Sequence, residues 1–228
     1  MNEIIRQWNE AAGKYSEDQE QSEYAAFNKT FVKERFRELK GERVLDLGCG
    51  YGYYTGYFKS IGGSPVGIDG AQAMIDIAQK TYPECSFSVA DITKPLPFDA
   101  GSFDIVFCNQ VLMDIEDIQS VLAECHRILK RDGVFYYSIV HPAFYGGTWE
   151  TDRSTGIVGK MVSSYITPGV VSNHFWGDTV HFHRPISYYL NAASDAGFTL
   201  VHTEEPKVYR GNEKNEDLPL FFFAEYKK

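Results

Sequence analysis

Apolar and polar positions along this chain switch repeatedly between two rhythms. Val44-Leu45-Asp46-Leu47 is a short, nearly continuous apolar run bounded by glycine, the pattern of a strand buried on both faces. Ser64 to Asp69, Cys85 to Ala90, Phe103 to Cys108 and Val134 to Val140 repeat it. Between these runs the spacing becomes helical. Residues 53 to 61 form one helix, closed by Gly62-Gly63. Ala71 to Tyr82 forms another, with Met74, Ile75 and Ala78 on its buried side and Pro83 as its stop. About Asp117 to Leu129 forms a third, with Ile118, Val121, Leu122, Cys125 and Leu129 in register. Strands and helices alternating in this way demand an α/β fold with a parallel sheet and right-handed crossovers.

The flanks read differently. Ile4, Trp8, Ala11 and Tyr15 share one face of a helix over residues 2 to 14, and a second helix, about 24 to 39, carries Phe27, Phe31, Phe36 and Leu39. Both precede the first strand, so they pack over the sheet or its open edge. From His141 to His183 no period survives, and a long irregular segment inside a compact domain is usually functional or mobile. Pro185 then opens a helix with Ile186, Tyr189, Leu190 and Ala193 in phase, closed by Gly197, and two strands follow at 198–204 and 218–226.

Candidate chemistry centres on the first strand and its turn. Gly48, Gly50 and Gly52 remove side chains where the backbone must bend sharply and approach a ligand. A second strand ends in Asp69, where a carboxylate at the neighbouring strand tip suits ribose hydroxyls. The third glycine comes one residue too early for the dinucleotide fingerprint. Asp46, at the end of the strand, suits a cationic group such as an ammonium better than a phosphate.

With these residues the segment resembles the first motif of class I S-adenosylmethionine-dependent methyltransferases, small-molecule branch. The likeness is good from roughly Arg43 to Pro142 and looser outside it. It implies a doubly wound, mostly parallel seven-stranded sheet with an antiparallel C-terminal strand, the Rossmann-like methyltransferase fold. It implies one domain over 1–228, in which 1–40 is an N-terminal helical cover and 41–140 a cofactor-binding core. Residues 141–184 would then be a substrate-side insertion and 185–228 a C-terminal helix and hairpin. S-adenosylmethionine would be the cofactor, S-adenosylhomocysteine the product, and a small molecule the acceptor.

By the same resemblance, Tyr15 reaches the methionine carboxylate, Asp69 the ribose, Asp91 the adenine amino group and the Ile92 amide a ring nitrogen. Asn109 meets the ammonium. Asp46, Gly48, Cys49, Gly50, Gly70, Met74 and Gln110 complete the cofactor set. Two positions depart from the family pattern: Gly70 stands where serine is frequent, and Arg131-Asp132-Gly133 replaces a Pro-Gly-Gly turn. His141, directly after the fifth strand, is a candidate base or simply a polar wall. His174, His181 and His183 invite a metal reading, but no acidic or cysteine ligand is spaced with them, so no metal is expected. Arg184 suits either an anionic substrate or an ordinary salt bridge.

Composition narrows the picture further. Net charge is −9 without a basic run, which argues against nucleic acid and anionic membrane surfaces as partners. Aromatic residues make up 15%, enough to line a pocket as well as a core. Cys49, Cys85, Cys108 and Cys125 lie far apart and suggest reduced residues, not a zinc site or disulfide framework. No signal peptide and no membrane-length apolar run is apparent, so a cytoplasmic location is expected. Competing readings are a non-catalytic nucleoside- or partner-binding module, an NAD-dependent oxidoreductase and a methyltransferase acting on protein.

Overall fold

Strand β1 (Arg43–Leu47) has a parallel neighbour on each side, β2 (Ser64–Asp69) and β4 (Phe103–Asn109), in the computed structural model, which describes residues 2–210 and 214–228. Outward from these run β3 (Ser86–Val89), parallel to β2, and β5 (Leu129–Val140), parallel to β4. The late strands β10 (Thr199–Glu204) and β11 (Phe221–Lys227) finish the sheet. Strand β11 is inserted between β10 and β5 and antiparallel to both, giving the order β10-β11-β5-β4-β1-β2-β3. The order reverses between β1 and β4, so a crevice opens at the carboxyl ends of these strands.

Alternate residues of the central strands feed two cores. Leu45, Val106, Cys108, Phe135 and Tyr137 face helices α5 (Ile118–Ile128) and α6 (Ile186–Asp195). Val44, Ile105, Phe107 and Tyr136 face the other side, against Val32 of α2 (Glu23–Arg35) and Phe58 of α3 (Tyr53–Ser60). This is the period-two alternation of a sheet covered on both faces. Helix α2 is also tied to the sheet by polar contacts, Arg35 donating to the buried Glu225 of β11 at 2.5 and 2.6 Å. Helix α4 (Gln72–Thr81) joins β2 to β3.

Four boundaries differ from the sequence pattern. Helix α1 covers Glu3–Gln21, a full two turns beyond the expected end, because the residues after Tyr15 are a polar run compatible with an exposed helix face. Ser22 then ends α1 and, accepting from the Ala25 amide at 3.3 Å, caps α2. Helix α2 stops at Arg35, not near 39. Phe36 leaves helical geometry to bury its ring 5.2 Å from Tyr136 and 5.5 Å from Phe58. Strand β5 starts five residues early, at Leu129, because Leu129 pairs with Phe103 before Asp132, at φ 63°, and Gly133 shift the register. Residue 85 lies just outside β3, so Cys85 is not a strand residue.

The stretch expected to be irregular holds two antiparallel hairpins, β6 (Thr148–Thr151) with β7 (Val158–Met161) and β8 (Gly169–Asn173) with β9 (Thr179–His183). Strands β6 and β8 are short and largely exposed and carry no inward–outward alternation, while β9 buries the polar Thr179 and His181, so no hydrophobic alternation marks it.

Candidate active site

The turn after β1 carries three left-handed glycines, Gly48, Gly50 and Gly52, with φ of 72°, 52° and 87°. A Cβ at Gly48 would lie 2.5 Å from Val111 and one at Gly52 2.8 Å from Phe87, so both are fixed by close approach as well as by φ. At Gly50 the nearest atoms, of Met74 and Tyr15, stand off at 4.0 Å and leave room in front of the turn. The turn's amides are turned inward. Gly48 and Cys49 donate to the Ile68 carbonyl at 2.8 and 2.9 Å, Gly50 to Asp69 at 2.9 Å, and Gly52 to the Cys49 carbonyl at 3.0 Å. A pyrophosphate would find none of these four donors available, which weighs against a dinucleotide.

Asp69, at the tip of β2, accepts one amide on each carboxylate oxygen, from Gly50 and, at 2.8 Å, from Ala71. Burial pushes its carboxyl above the usual range against those two hydrogen bonds, and the nearby Asp114 adds to the rise. Asp91 is fastened through Oδ1 by the amide and hydroxyl of Thr93 at 3.0 and 2.6 Å, leaving its other oxygen without a partner among the described residues. Asn109 ends β4 with its side-chain oxygen accepting from Ser138 at 2.6 Å, so it meets a ligand through its carbonyl or amide nitrogen. Gln110 beside it donates to the same Ser138 at 2.9 Å from a left-handed backbone, φ 59°. That unfavourable conformation at the end of a central strand concentrates strain at the crevice.

These side chains converge on a narrow cleft of about 100 Å³. Tyr15, Gly48, Gly50, Asp69, Gly70, Met74, Asp91, Ile92, Asn109 and Gln110 all line it. A second cavity, about 730 Å³, shares Trp8, Tyr15, Gly48, Gly50, Asn109, Gln110 and Asp114 with the cleft and includes Asp46 and Cys49. Asp46 is buried and accepts from Thr55 at 2.6 Å; desolvation pushes its carboxyl up to about 7. Burial also raises the Cys49 thiol, keeping it protonated. Tyr15 packs edge-on against Trp8 and Trp176 at 5.3 and 4.9 Å, and burial beside Asp114, Asp69 and Asp18 raises its phenol, so it stays a neutral donor. The serine-to-glycine departure at residue 70 has a cause in packing: a Cβ there would sit 2.8 Å from Ile5, the side chain by which α1 closes over the cleft.

His141 is not at the site. It lines none of these walls: its Nε2 bonds Glu205 at 2.6 Å and its Nδ1 accepts the Ala143 amide at 3.2 Å, tying the end of β5 to the segment after β10. Of the two roles open to it in the sequence, base and polar wall, its placement supports neither. His141→Ala is expected to leave methyl transfer within about three-fold while costing about 1–3 kcal/mol in urea unfolding, the cost of stranding buried polar groups.

Arg184 likewise meets no substrate wall of the cleft. It is buried, donating to the Ile115 carbonyl at 2.7 Å and to that of Glu116, with the Tyr188 ring 5.1 Å away. The three histidines whose grouping invited a metal reading go separate ways: His174 to Asp178 at 2.7 Å, His183 to the Tyr165 carbonyl at 2.9 Å, and His181 to Asp114. Among the described residues no group of three His, Cys, Asp or Glu side chains is placed to hold a metal ion.

Sequence reasoning missed Val111 and Asp114, on the turn after β4, and the Asn2, Ile4, Ile5 and Trp8 wall of α1. Of the insertion aromatics, Tyr145, Trp149, Phe175 and Trp176 line the larger cavity. Phe144 and Tyr165 do not; Phe144 packs on His141 at 4.8 Å, and the Tyr165 hydroxyl accepts from the Ile186 amide at 3.0 Å.

A doubly wound sheet with acidic and polar side chains gathered at its switch point defines an α/β enzyme of the Rossmann-like, nucleoside-binding kind. Residues 45–137 match the family described as a methyltransferase domain. An uncharacterized methyltransferase of Synechocystis is 28% identical over 167 residues, 63% of this chain and 78% of that protein. A ubiquinone biosynthesis O-methyltransferase of Hahella chejuensis is 34% identical over 115 residues, 49% of this chain and 48% of that one, so the match spans about half of its length. The solved structure of an S-adenosylmethionine-dependent methyltransferase from Mesorhizobium loti shares the fold, with a TM-score of 0.79 at 24% identity, over 92% of this chain and 100% of that one. The match over residues 45–137, these relatives and the shared fold support a class I S-adenosylmethionine-dependent methyltransferase. Among the described residues no helix is long and apolar enough to cross a membrane.

Proposed function

We propose that this chain methylates a small-molecule acceptor, using the narrow cleft for the adenosyl end of S-adenosylmethionine and the larger cavity for the acceptor. The observation that carries this reading is the shared wall. Tyr15, Gly48, Gly50, Asn109, Gln110 and Asp114 border both spaces, so a ligand filling the cleft has its other end at the entrance to an aromatic-walled cavity of about 730 Å³. That volume suits a drug-sized molecule. The four unpaired cysteines fit a cytoplasmic location.

In this reading Asp69 accepts from the ribose diol, held in place by the Gly50 and Ala71 amides. Asp91 uses its unpartnered oxygen on the adenine amino group, and the Ile92 amide serves a ring nitrogen. Tyr15, a neutral phenol, donates to the methionine carboxylate; Asp46 and the Asn109 carbonyl face the ammonium. When bound, the cofactor supplies a methyl group on a cationic sulfonium that leaves as a neutral thioether. The protein's work is alignment and exclusion of water, for which Trp8, Tyr15 and Trp176 form an apolar wall.

The test is methyl transfer from labelled S-adenosylmethionine into a cell extract separated into small-molecule and protein fractions. Label in the small-molecule fraction is the expected result. Label confined to protein would overturn the acceptor assignment, and no measurable S-adenosylhomocysteine binding by calorimetry would overturn the site.

A further inference from the structure

One buried pair at the junction of the two cavities is given no role in the reading above. Asp114 ends the 3-10 turn Leu112–Asp114 that follows β4, and His181 lies in the middle of β9. Their side chains, 8% and 7% exposed, are hydrogen-bonded through Asp114 Oδ1 and His181 Nδ1. Asp114 borders both the cleft and the larger cavity, and His181 borders the larger cavity and a third space of about 350 Å³. With Nδ1 held by a carboxylate, the imidazole is fixed in one tautomer and its Nε2 is the basic atom. Among the described residues that Nε2 has no hydrogen-bond partner.

We propose that His181 is the general base of the methyl transfer, that Asp114 positions it, and that the acceptor is an uncharged aromatic compound methylated on a ring hydroxyl. This rests on the methyltransferase reading above and specifies the substrate class of the same site. A base is needed only when the nucleophile carries a proton too tightly held to leave unaided, and an imidazole is matched to a phenol far better than to an aliphatic alcohol. The walls agree. Tyr145, whose ring stands 5.6 Å from that of His181, Trp149 and Trp176 offer flat surfaces to a planar ring. Asp18, Glu23, Asp46 and Asp114 outnumber Lys29 on the same cavity, which disfavours a carboxylated acceptor.

In the step itself the hydroxyl proton passes to His181 Nε2 as the oxygen lone pair forms the new O–CH3 bond. The C–S bond breaks with its electron pair going to sulfur. The positive charge lost from the sulfonium is carried by the imidazolium, paired with Asp114, until the proton leaves to solvent. The titratable groups packed round the pair are Tyr145 on the loop after β5, Tyr15 on α1, Asp69 at the tip of β2, Cys108 on β4 and Tyr189 on α6.

The experiment uses the full chain with methyl 3,4-dihydroxybenzoate, 7,8-dihydroxycoumarin and quercetin as probes, beside 3,4-dihydroxybenzoate and methyl 3,4-diaminobenzoate. Expected are transfer to at least one neutral phenol in preference to the free acid and the diamine, and a rate rising to a plateau through neutral pH. His181→Gln should lose at least about 100-fold in kcat, with the residual rate climbing with pH past the wild-type plateau; Asp114→Asn should lose about 10-fold or more. His181→Gln, which lies outside the cofactor cleft, should bind S-adenosylhomocysteine within three-fold of wild type by calorimetry. In proton NMR of the cofactor-product complex, the downfield imidazole proton of His181 should vanish in Asp114→Asn. A His181→Gln enzyme within three-fold of wild type across the pH range would overturn the base. Preferred methylation of the diamine or the free acid, or of no phenol while S-adenosylhomocysteine binds normally, would overturn the acceptor class and leave the cofactor site standing.

Discussion

Asp69→Ala should reduce affinity for S-adenosylhomocysteine by at least about 100-fold. On the proposed reading the carboxylate accepts from the ribose hydroxyls, and hydrogen bonds to a charged group are worth roughly 1.5–3 kcal/mol each. The same substitution strips the Gly50 and Ala71 amides of their acceptor, so stability should also fall, by about 1–3 kcal/mol for each amide stranded away from water. Asp69→Asn separates the two effects. Its single acceptor oxygen can keep one amide satisfied, and binding should fall less, about 10-fold. Calorimetry on folded variants, with urea unfolding alongside, checks both numbers. An Asp69→Ala protein that binds within three-fold of wild type would show that the ribose lies elsewhere.

The second large effect is a gain in stability. Asp46 is buried with a carboxyl pushed up to about 7, against an unfolded-state value of about 3.9. Between those two values the folded protein keeps a proton that the unfolded chain gives up. Stability therefore falls as pH rises from about 4 to about 7, and the full cost is present above that. Asp46→Asn has no charge to desolvate and can still accept from Thr55, so it should be more stable than wild type by about 2–4 kcal/mol at pH 8. The advantage should shrink to nearly nothing at pH 4. Urea unfolding of both proteins at the two pH values measures it, and a wild type as stable as the variant at pH 8 would refute the assignment. On the proposed reading the same variant should bind cofactor less well, because it removes the charge assigned to the methionine ammonium.

The parts of this architecture that the sequence discloses are those governed by local rules. The apolar run at Val44–Leu47, its glycines and Asp69 lie close together in the chain, and the geometry each requires is written in residue type. Of the ten residues that line the cleft from the expected set, all but Tyr15 on α1 and Met74 on α4 come from strand ends and their following turns. What escaped depends on contacts between distant segments. Nothing near His181 in the chain announces Asp114, which is 67 residues away, and nothing near His141 announces Glu205, which is 64 away. Both histidines looked alike in sequence, and only tertiary pairing separates the one at the cavity from the one that fastens a strand. The hairpins β6–β7 and β8–β9 were hidden for a related reason: β6 and β8 are largely exposed and β9 buries polar residues, so no hydrophobic period is there to read.

Inserting β11 between β5 and β10 has a bearing on biosynthesis. Thr199–Glu204 has no partner in the sheet other than a segment translated later, so it leaves the ribosome as an edge with nothing to pair. Until Phe221–Lys227 emerges, Leu200 and Val201 and the bare flank of β5 are open to pairing with other nascent chains. The danger lasts only as long as the ribosome takes to cross the intervening codons.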